Sequence, residues 1–237
     1  TVAAVVRVLI FVVILAVAKF IIQLCLQAIF HELGNGFLVK GQKVNLTKSG
    51  GGSLRRILVG LGWDEVQQQR RGFFAPKPQD IDCDASVILC GSNGRVISSE
   101  INQTCVYFNN TSFAGGAIRH SGDDTTGGNS SGGDDEMIVI DLQSIPSYVD
   151  KMAFVVNIYD ANVRSQHFGL VRNAYIRVVD MDSNNEVCRF NLSDNYNGMT
   201  GLVAGEIYRN GSEWRFDAIG QAVRDASRLS KLIDLYR

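Results

Sequence analysis

Between residues 43 and 222 the chain is a succession of short β-type runs, broken by clusters of glycine, asparagine, aspartate and serine. No other feature limits the fold as much. The runs fall at 44–48, 56–63, 81–89, 105–108, 117–120, 137–142, 153–160, 174–179, 186–191, 202–209 and 213–218. Ser92-Asn93-Gly94 and Asn210-Gly211-Ser212 have the composition of hairpin connectors. Short strands without strand–helix alternation predict a mainly β chain, a two-sheet β-sandwich, and argue against a parallel nucleotide-binding sheet. Gly60, Gly62 and Gly50-Gly51-Gly52 do not form a phosphate loop, because neither a Lys-Ser/Thr pair nor a helical pattern follows them.

The two ends read differently. From Val2 to Phe30 only Arg7, Lys19, Gln23 and Gln27 are strongly polar, and no proline or glycine interrupts the run. A helix of that length reaches about 45 Å, longer than the roughly 30 Å hydrocarbon core of a bilayer. The expectation is a hydrophobic, membrane-spanning helix over 1–33. Lys19, Gln23, Gln27 and His31 recur every four positions and share one helical face, which suits a protein partner on that side. The alternative is a helix buried in a cytoplasmic assembly. Gly34-Asn35-Gly36 stops the helix and opens a linker over 34–40. At the far end Val223, Ala226, Leu229, Ile233 and Tyr236 fall at helical spacing, with Arg224, Asp225, Arg228 and Lys231 opposite. That pattern predicts an amphipathic helix over 223–237, after a sandwich spanning 41–222.

Charge narrows the function. Twenty-three Lys and Arg against 24 Asp and Glu leave a net charge of -1, so no basic excess supports nucleic-acid binding. The acids are concentrated. In Asp80-Ile81-Asp82-Cys83-Asp84-Ala85-Ser86 an extended backbone puts Asp80, Asp82, Asp84 and Ser86 on one face. Asp123, Asp124, Asp134, Asp135 and Glu136 bracket a Gly/Thr/Ser/Asn stretch. Like charges this close repel unless a cation lies between them. Carboxylate and carbonyl oxygens are what Ca²⁺ prefers, with Mg²⁺ the weaker alternative. Zinc and copper would want more than the three histidines and the scattered cysteines present. Taken alone, the 123–136 stretch is equally a solvated surface loop.

The motifs along 41–222 resemble those of the TerD family of tellurium-resistance and stress-response proteins. The resemblance runs through Gly41-Gln42-Lys43-Val44-Asn45-Leu46, Leu58-Val59-Gly60-Leu61-Gly62-Trp63-Asp64 and Asp80-Ile81-Asp82-Cys83-Asp84. It continues in Tyr107-Phe108-Asn109-Asn110, His120-Ser121-Gly122-Asp123-Asp124, Gly133-Asp134-Asp135-Glu136 and Phe154-Val155-Val156-Asn157-Ile158-Tyr159-Asp160. Ala174-Tyr175-Ile176-Arg177, Gly205-Glu206-Ile207-Tyr208-Arg209 and Trp214 complete it. The resemblance implies a β-sandwich that binds Ca²⁺, two ions, through clustered acidic loops, without established catalytic chemistry. Carried over by position, the ligands would be Asp82, Asp84, Asp123, Asp124, Asp134, Asp135 and Glu136, with Asn109 and Asp160 behind them. Asp124 stands where the family more often has asparagine, which adds a negative charge. The hydrophobic N-terminal stretch lies outside the family pattern.

The reading that follows is a membrane-tethered Ca²⁺-binding interaction module, single-pass, whose metal-ordered loops dock partner proteins in an oligomer or larger complex. The alternative is a structural accessory subunit of a large membrane complex or filament in which Ca²⁺ only stabilises the fold. Ca²⁺-dependent lipid binding ranks below both, because the 123–136 stretch has neither basic nor apolar residues at its tip. An enzyme is not expected, since His120 and His167 lack a nucleophile pattern. Cys83 and Cys105, on neighbouring strands, could pair as a disulfide or stay as buried thiols.

Overall fold

The computed structural model describes residues 36–48, 51–65, 81–122, 133–192, 194 and 196–237. The chain divides into two units, Thr1–Phe37 and Leu38–Arg237, and the second is the β domain. The helix expected over 1–33, with its Lys19, Gln23 and Gln27 face, lies outside the described residues. Among the described residues no helix is long and apolar enough to cross a membrane.

The strands are β1 (Phe37–Leu38), β2 (Lys43–Asn45), β3 (Arg56–Glu65), β4 (Cys83–Cys90), β5 (Cys105–Val106), β6 (Ser112–Phe113) and β7 (Ile118–His120). After them come β8 (Glu136–Asp141), β9 (Lys151–Ile158), β10 (Val171–Asp180), β11 (Asn185–Asn191), β12 (Gly201–Asn210) and β13 (Glu213–Val223). Among the described residues there are also three short α-helices, α1 (Ile101–Thr104) and α2 (Ala161–Arg164) between strands and α3 (Leu229–Ile233) after the last one. One sheet has seven strands in the order β1-β11-β10-β3-β8-β7-β6, the other six in the order β2-β13-β12-β9-β4-β5. Within each sheet, neighbouring strands from β2 to β13 pair antiparallel.

Alternation along the strands explains the layering. Ile57, Val59 and Leu61 of β3, Ile138 and Ile140 of β8, and Ile176 and Val178 of β10 meet Val87, Leu89, Phe154, Val156 and Phe216 of the other sheet in one core. In β4 and β9 the intervening residues are buried as well. Ile88, Cys90, Cys105, Ala153, Val155 and Val203 face away from the core into a second cluster, closed by Ala226, Leu232 and Ile233. Both faces of β9 are therefore covered, and its sequence Lys151-Met152-Ala153-Phe154-Val155-Val156 is continuously apolar after its first residue.

The C-terminal segment departs from the helix expected over 223–237. β13 runs on to Val223, the chain turns at Asp225 with φ +56°, and the helix is confined to α3 and a following 3-10 turn, Asp234–Tyr236. The reason is a backbone anchor: the Ala226 N–H donates to Thr200 Oγ1 at 2.8 Å, and the Ala226 methyl packs over Gly201. An unbroken helix could not lay that residue flat on the sheet.

The described cysteines Cys83, Cys90, Cys105 and Cys188 are buried, and none of them is in a disulfide. Cys105 lies opposite Ile88 in the β4–β5 register, so Cys83 is five positions too far along β4 to reach it. Burial pushes the Cys90 and Cys105 thiols up to about 12, which makes them packing residues rather than nucleophiles.

Candidate functional site

The acidic residues gather at one end of the sandwich because of strand order. The start of β4 lies beside the end of β9 (Cys83 opposite Ile158), and the start of β8 lies beside β3 (Glu136 opposite Leu61). His120 closes β7 next to Ile138 of β8. Gly122 and Gly133, which flank the 123–132 stretch, stand at this end too. Asp123 and Asp124 lie outside the described residues.

At this end the two sheets are joined by polar groups. β5 pairs with β4 at Val87 and Ile88, and the edge of β4 continues past it to Ala85. The Ala85 N–H donates to Glu136 Oε2 at 3.2 Å, and Ala85 O lies 3.0 Å from His120 Nε2. The same nitrogen is 2.9 Å from Glu136 Oε2, while His120 Nδ1 accepts from the Gly122 N–H at 3.1 Å. Since Nδ1 accepts, Nε2 carries the proton: the ring is a neutral imidazole shared between Ala85 O and Glu136. The side chains of His120 and Glu136 are fully shielded from water, at 0% and 1% exposure. Side chains of one sheet thus replace the missing strand neighbour of the other, and a bare backbone pair is satisfied.

Asp134, Asp135 and Glu136 are consecutive in sequence and separate in space. Asp134 lies over the outer face of the seven-stranded sheet. There Arg177 grips it with Nε at 2.8 Å and Nη2 at 2.9 Å, and the Tyr175 hydroxyl donates to it at 2.9 Å. Its carboxylate occupies the place where a Cβ on Gly60 would be, 2.2 Å from that position, so only glycine fits beneath it. Asp134 holds the Arg177 guanidinium well above its ordinary range. Burial, aided by Asp134, pushes the Tyr175 phenol up to about 12. Asp135 accepts the Trp63 N–H at 2.6 Å and donates its own N–H to Leu61 O, which ends the β3–β8 ladder. Glu136 turns inward to the His120 clasp.

The β4 acids face outward. Asp84 is buried and accepts from Asn157 Nδ2, its cross-strand neighbour, at 3.1 Å. Asp82 accepts the Tyr159 N–H on its backbone oxygen at 2.8 Å, and its carboxylate lies 3.7 Å from Arg164. Ser86, two positions on from Asp84 along the same face, has a buried Oγ with no hydrogen-bond partner among the described residues. Asp160 follows β9 in a left-handed conformation, φ +48°, at the start of α2. Asn109 is exposed in a turn closed by a bridge between Tyr107 and Asn110.

Of the residues named from sequence, the structure brings Asp84, Asp135 and Glu136 to the junction of the sheets. It puts Asp82 and Asp160 at the end of β9 and aims Asp134 at Arg177. Gly60, Asn157, Tyr175 and Arg177 were missed as partners. Glycine at alternate positions inside a strand, Gly60 and Gly62, was the available signal, since it marks close approach by another group. Among the described residues no three of His, Cys, Asp or Glu are grouped as a metal-holding set.

A two-sheet sandwich whose strand ends collect buried carboxylates at one pole defines the class of domain. The chain belongs to the TerD family: the model of the TerD domain matches residues 36–236. It is 45% identical to stress response protein SCP2 of Bacillus subtilis (strain 168), over 84% of this chain and 98% of that protein. It is 41% identical to tellurium resistance protein TerD of Serratia marcescens, over 78% of this chain and 88% of that protein. Among solved structures, a homologue of telluride resistance protein (TerD) from Streptomyces coelicolor A3(2) shares the fold. There the TM-score is 0.52 at 20% identity, over 73% of this chain and 92% of that one.

Proposed function

We propose that the chain is a non-catalytic module of a stress-response and tellurium-resistance type, in which Ca²⁺ binds at the acidic pole and orders its loops for docking to partner proteins. One observation carries the reading: the acid-bearing starts of β4 and β8 lie at the same pole of the sandwich as Gly122 and Gly133, the flanks of the 123–132 stretch. The donors are carboxylate and amide oxygens, and the orphaned Ser86 hydroxyl adds an oxygen on the Asp84 face. Oxygen donors suit Ca²⁺, which takes six to eight of them, and do not suit Zn²⁺. Asp82 and Asp84 with Asp123 and Asp124 would hold the ions, and Asp135 and Glu136 would contribute whatever oxygens the Trp63 and Ala85 contacts leave. Asp134 would anchor the stretch through Arg177. Bound Ca²⁺ would offset the repulsion among these acids and couple ion level to loop order. The hydrophobic stretch of residues 2–30 would tether the module to a membrane.

The alternative, an accessory subunit in which the acids only stabilise the fold, draws on a specific observation as well. Asp134, Asp135 and Glu136 each have a structural hydrogen bond of their own.

Calorimetric titration of the full chain with Ca²⁺, with Mg²⁺ as control, tests the proposal. We expect saturable Ca²⁺ heat and about 2.7 kcal/mol of added stability at a hundredfold excess over Kd. Both should be lost in Asp123→Asn/Asp124→Asn and weakened in Asp84→Asn. The absence of heat and of any rise in melting temperature in the wild type sinks the metal reading and favours the accessory subunit.

A further inference from the structure

Beside the acidic pole, between the start of α2 and the C-terminal segment, the surface holds a recess of about 370 Å³. That is the size of a small-molecule site. Asp160, Asn162 and Val163 form one wall, and Asp225, Arg228 and Lys231 the other. Two acids and two bases thus line one concavity. None of the four makes a side-chain hydrogen bond or ion pair with any described residue, although opposite charges stand across the gap. The walls explain why they do not collapse together. On one side the Asp160 carbonyl accepts the Arg164 N–H at 3.0 Å, and Ala161 is buried beneath it. On the other the Ala226 N–H is held by Thr200, and Leu232 is buried in the second core. The charges are therefore carried on two fixed supports, separated by a space that a ligand bearing both signs would fill.

We propose that this recess binds a compact zwitterion, an aminoalkyl phosphate of the phosphoethanolamine type. Its ammonium faces Asp160 and Asp225, and its phosphate faces Arg228 and Lys231. A guanidinium and an ammonium on one wall, Arg228 and Lys231, suit the several oxygens of a phosphate better than a single carboxylate. A plain anion is disfavoured by the two carboxylates, and a plain cation by the two bases. The rim adds a second element: Val163 is 85% exposed and Tyr159, one residue before Asp160, is 43% exposed. An exposed valine beside a headgroup-sized recess gains burial when the phosphate carries hydrocarbon, as in a phospholipid. The turn at 159–164 thus supplies the apolar tip that the 123–136 stretch lacks.

Of the charged lining residues only Asp160 is also a candidate metal ligand; Asp225, Arg228 and Lys231 are not. The test is calorimetric titration of the full chain in EDTA with phosphoethanolamine, inorganic phosphate and ethylamine. We expect one saturable site for phosphoethanolamine, with the two half-ligands at least tenfold weaker. Asp225→Asn and Arg228→Gln should each weaken binding by about tenfold or more. Both side chains are exposed, and asparagine tolerates the positive φ at 225, so both variants should melt like the wild type. Flotation with phosphatidylcholine vesicles, with and without phosphatidylethanolamine, then separates the sources, because any contribution of the N-terminal stretch is common to wild type and variants. A wild-type excess confined to phosphatidylethanolamine vesicles assigns the lipid headgroup. Equal flotation with soluble binding intact assigns the free compound. No saturation by phosphoethanolamine, inorganic phosphate binding as tightly as the zwitterion, or wild-type affinity in both variants overturns the proposal.

Discussion

The outer faces of the two sheets solve one problem in opposite ways. The six-stranded sheet turns Ile88, Cys90, Ala153, Val155 and Val203 outward and roofs them with Ala226, Leu232 and Ile233. Among the described residues the seven-stranded sheet has no such roof over Gly60, Gly62, Tyr175 and Arg177, and it pairs its charges sideways. Arg177 holds Asp134 and Glu186, Arg189 holds Glu186, and Arg189 stacks on Tyr175 with its guanidinium 4.1 Å from the ring centre. One face is held by apolar area removed from water, the other by geometry that glycine makes room for. The first should be sensitive to lost volume, the second to added volume and to charge.

The largest effect is therefore expected under the roof. Leu232 is fully buried, and Leu232→Ala should cost about 2–5 kcal/mol through lost transfer energy and a cavity. A denaturant melt measures it. A cost below about 1 kcal/mol would mean that the C-terminal segment merely rests on the sheet. On the other face the informative change adds a methyl group. Gly60→Ala drives a Cβ into the Asp134 carboxylate and should cost about 1–3 kcal/mol. In an Asp134→Ala background the same change should be nearly free, a coupling that a double-mutant cycle reads directly. Equal costs in the two backgrounds would place the strain elsewhere than at Asp134.

These two faces were unequally legible in the sequence. The roofed face could be read: the apolar run 152–156 is what a strand covered on both sides requires. β8, Glu136-Met137-Ile138-Val139-Ile140-Asp141, shows the burial alternation of a strand covered on one side. Each of the eleven runs read from the sequence overlaps a strand. β1 and β6, two residues each, carry too little pattern to be seen. The paired face could not be read, because its logic is long-range. Asp134 meets Arg177 across 43 positions, Asp135 meets Trp63 across 72 and Glu136 meets Ala85 across 51. A run of three acids looks like one cluster until register assigns its members to different faces. The C-terminal helix was read from a sound period but shortened by the Thr200 anchor, a contact that no local pattern encodes.

The smallest effect separates the faces by pH. Burial works against the charge of Glu186, yet hydrogen bonds from Arg189 and Arg177 outweigh it and hold the carboxyl below the usual carboxylate range. A carboxyl depressed in the folded state contributes stability that is present above the unfolded value of about 4.3 and lost as pH falls through the folded value. The side chain is 31% exposed, so screening limits the contribution to about 0.5–1 kcal/mol. Glu186→Gln should therefore melt slightly below the wild type at pH 7, and the gap should narrow as pH falls below about 4 and shrink in high salt. The Leu232→Ala gap, which rests on volume alone, should persist at pH 3 while the fold is retained. A Glu186→Gln gap that does not narrow at all as the pH is lowered, nor in high salt, would show that this face, too, is held by packing, and the contrast between the sheets would fall with it.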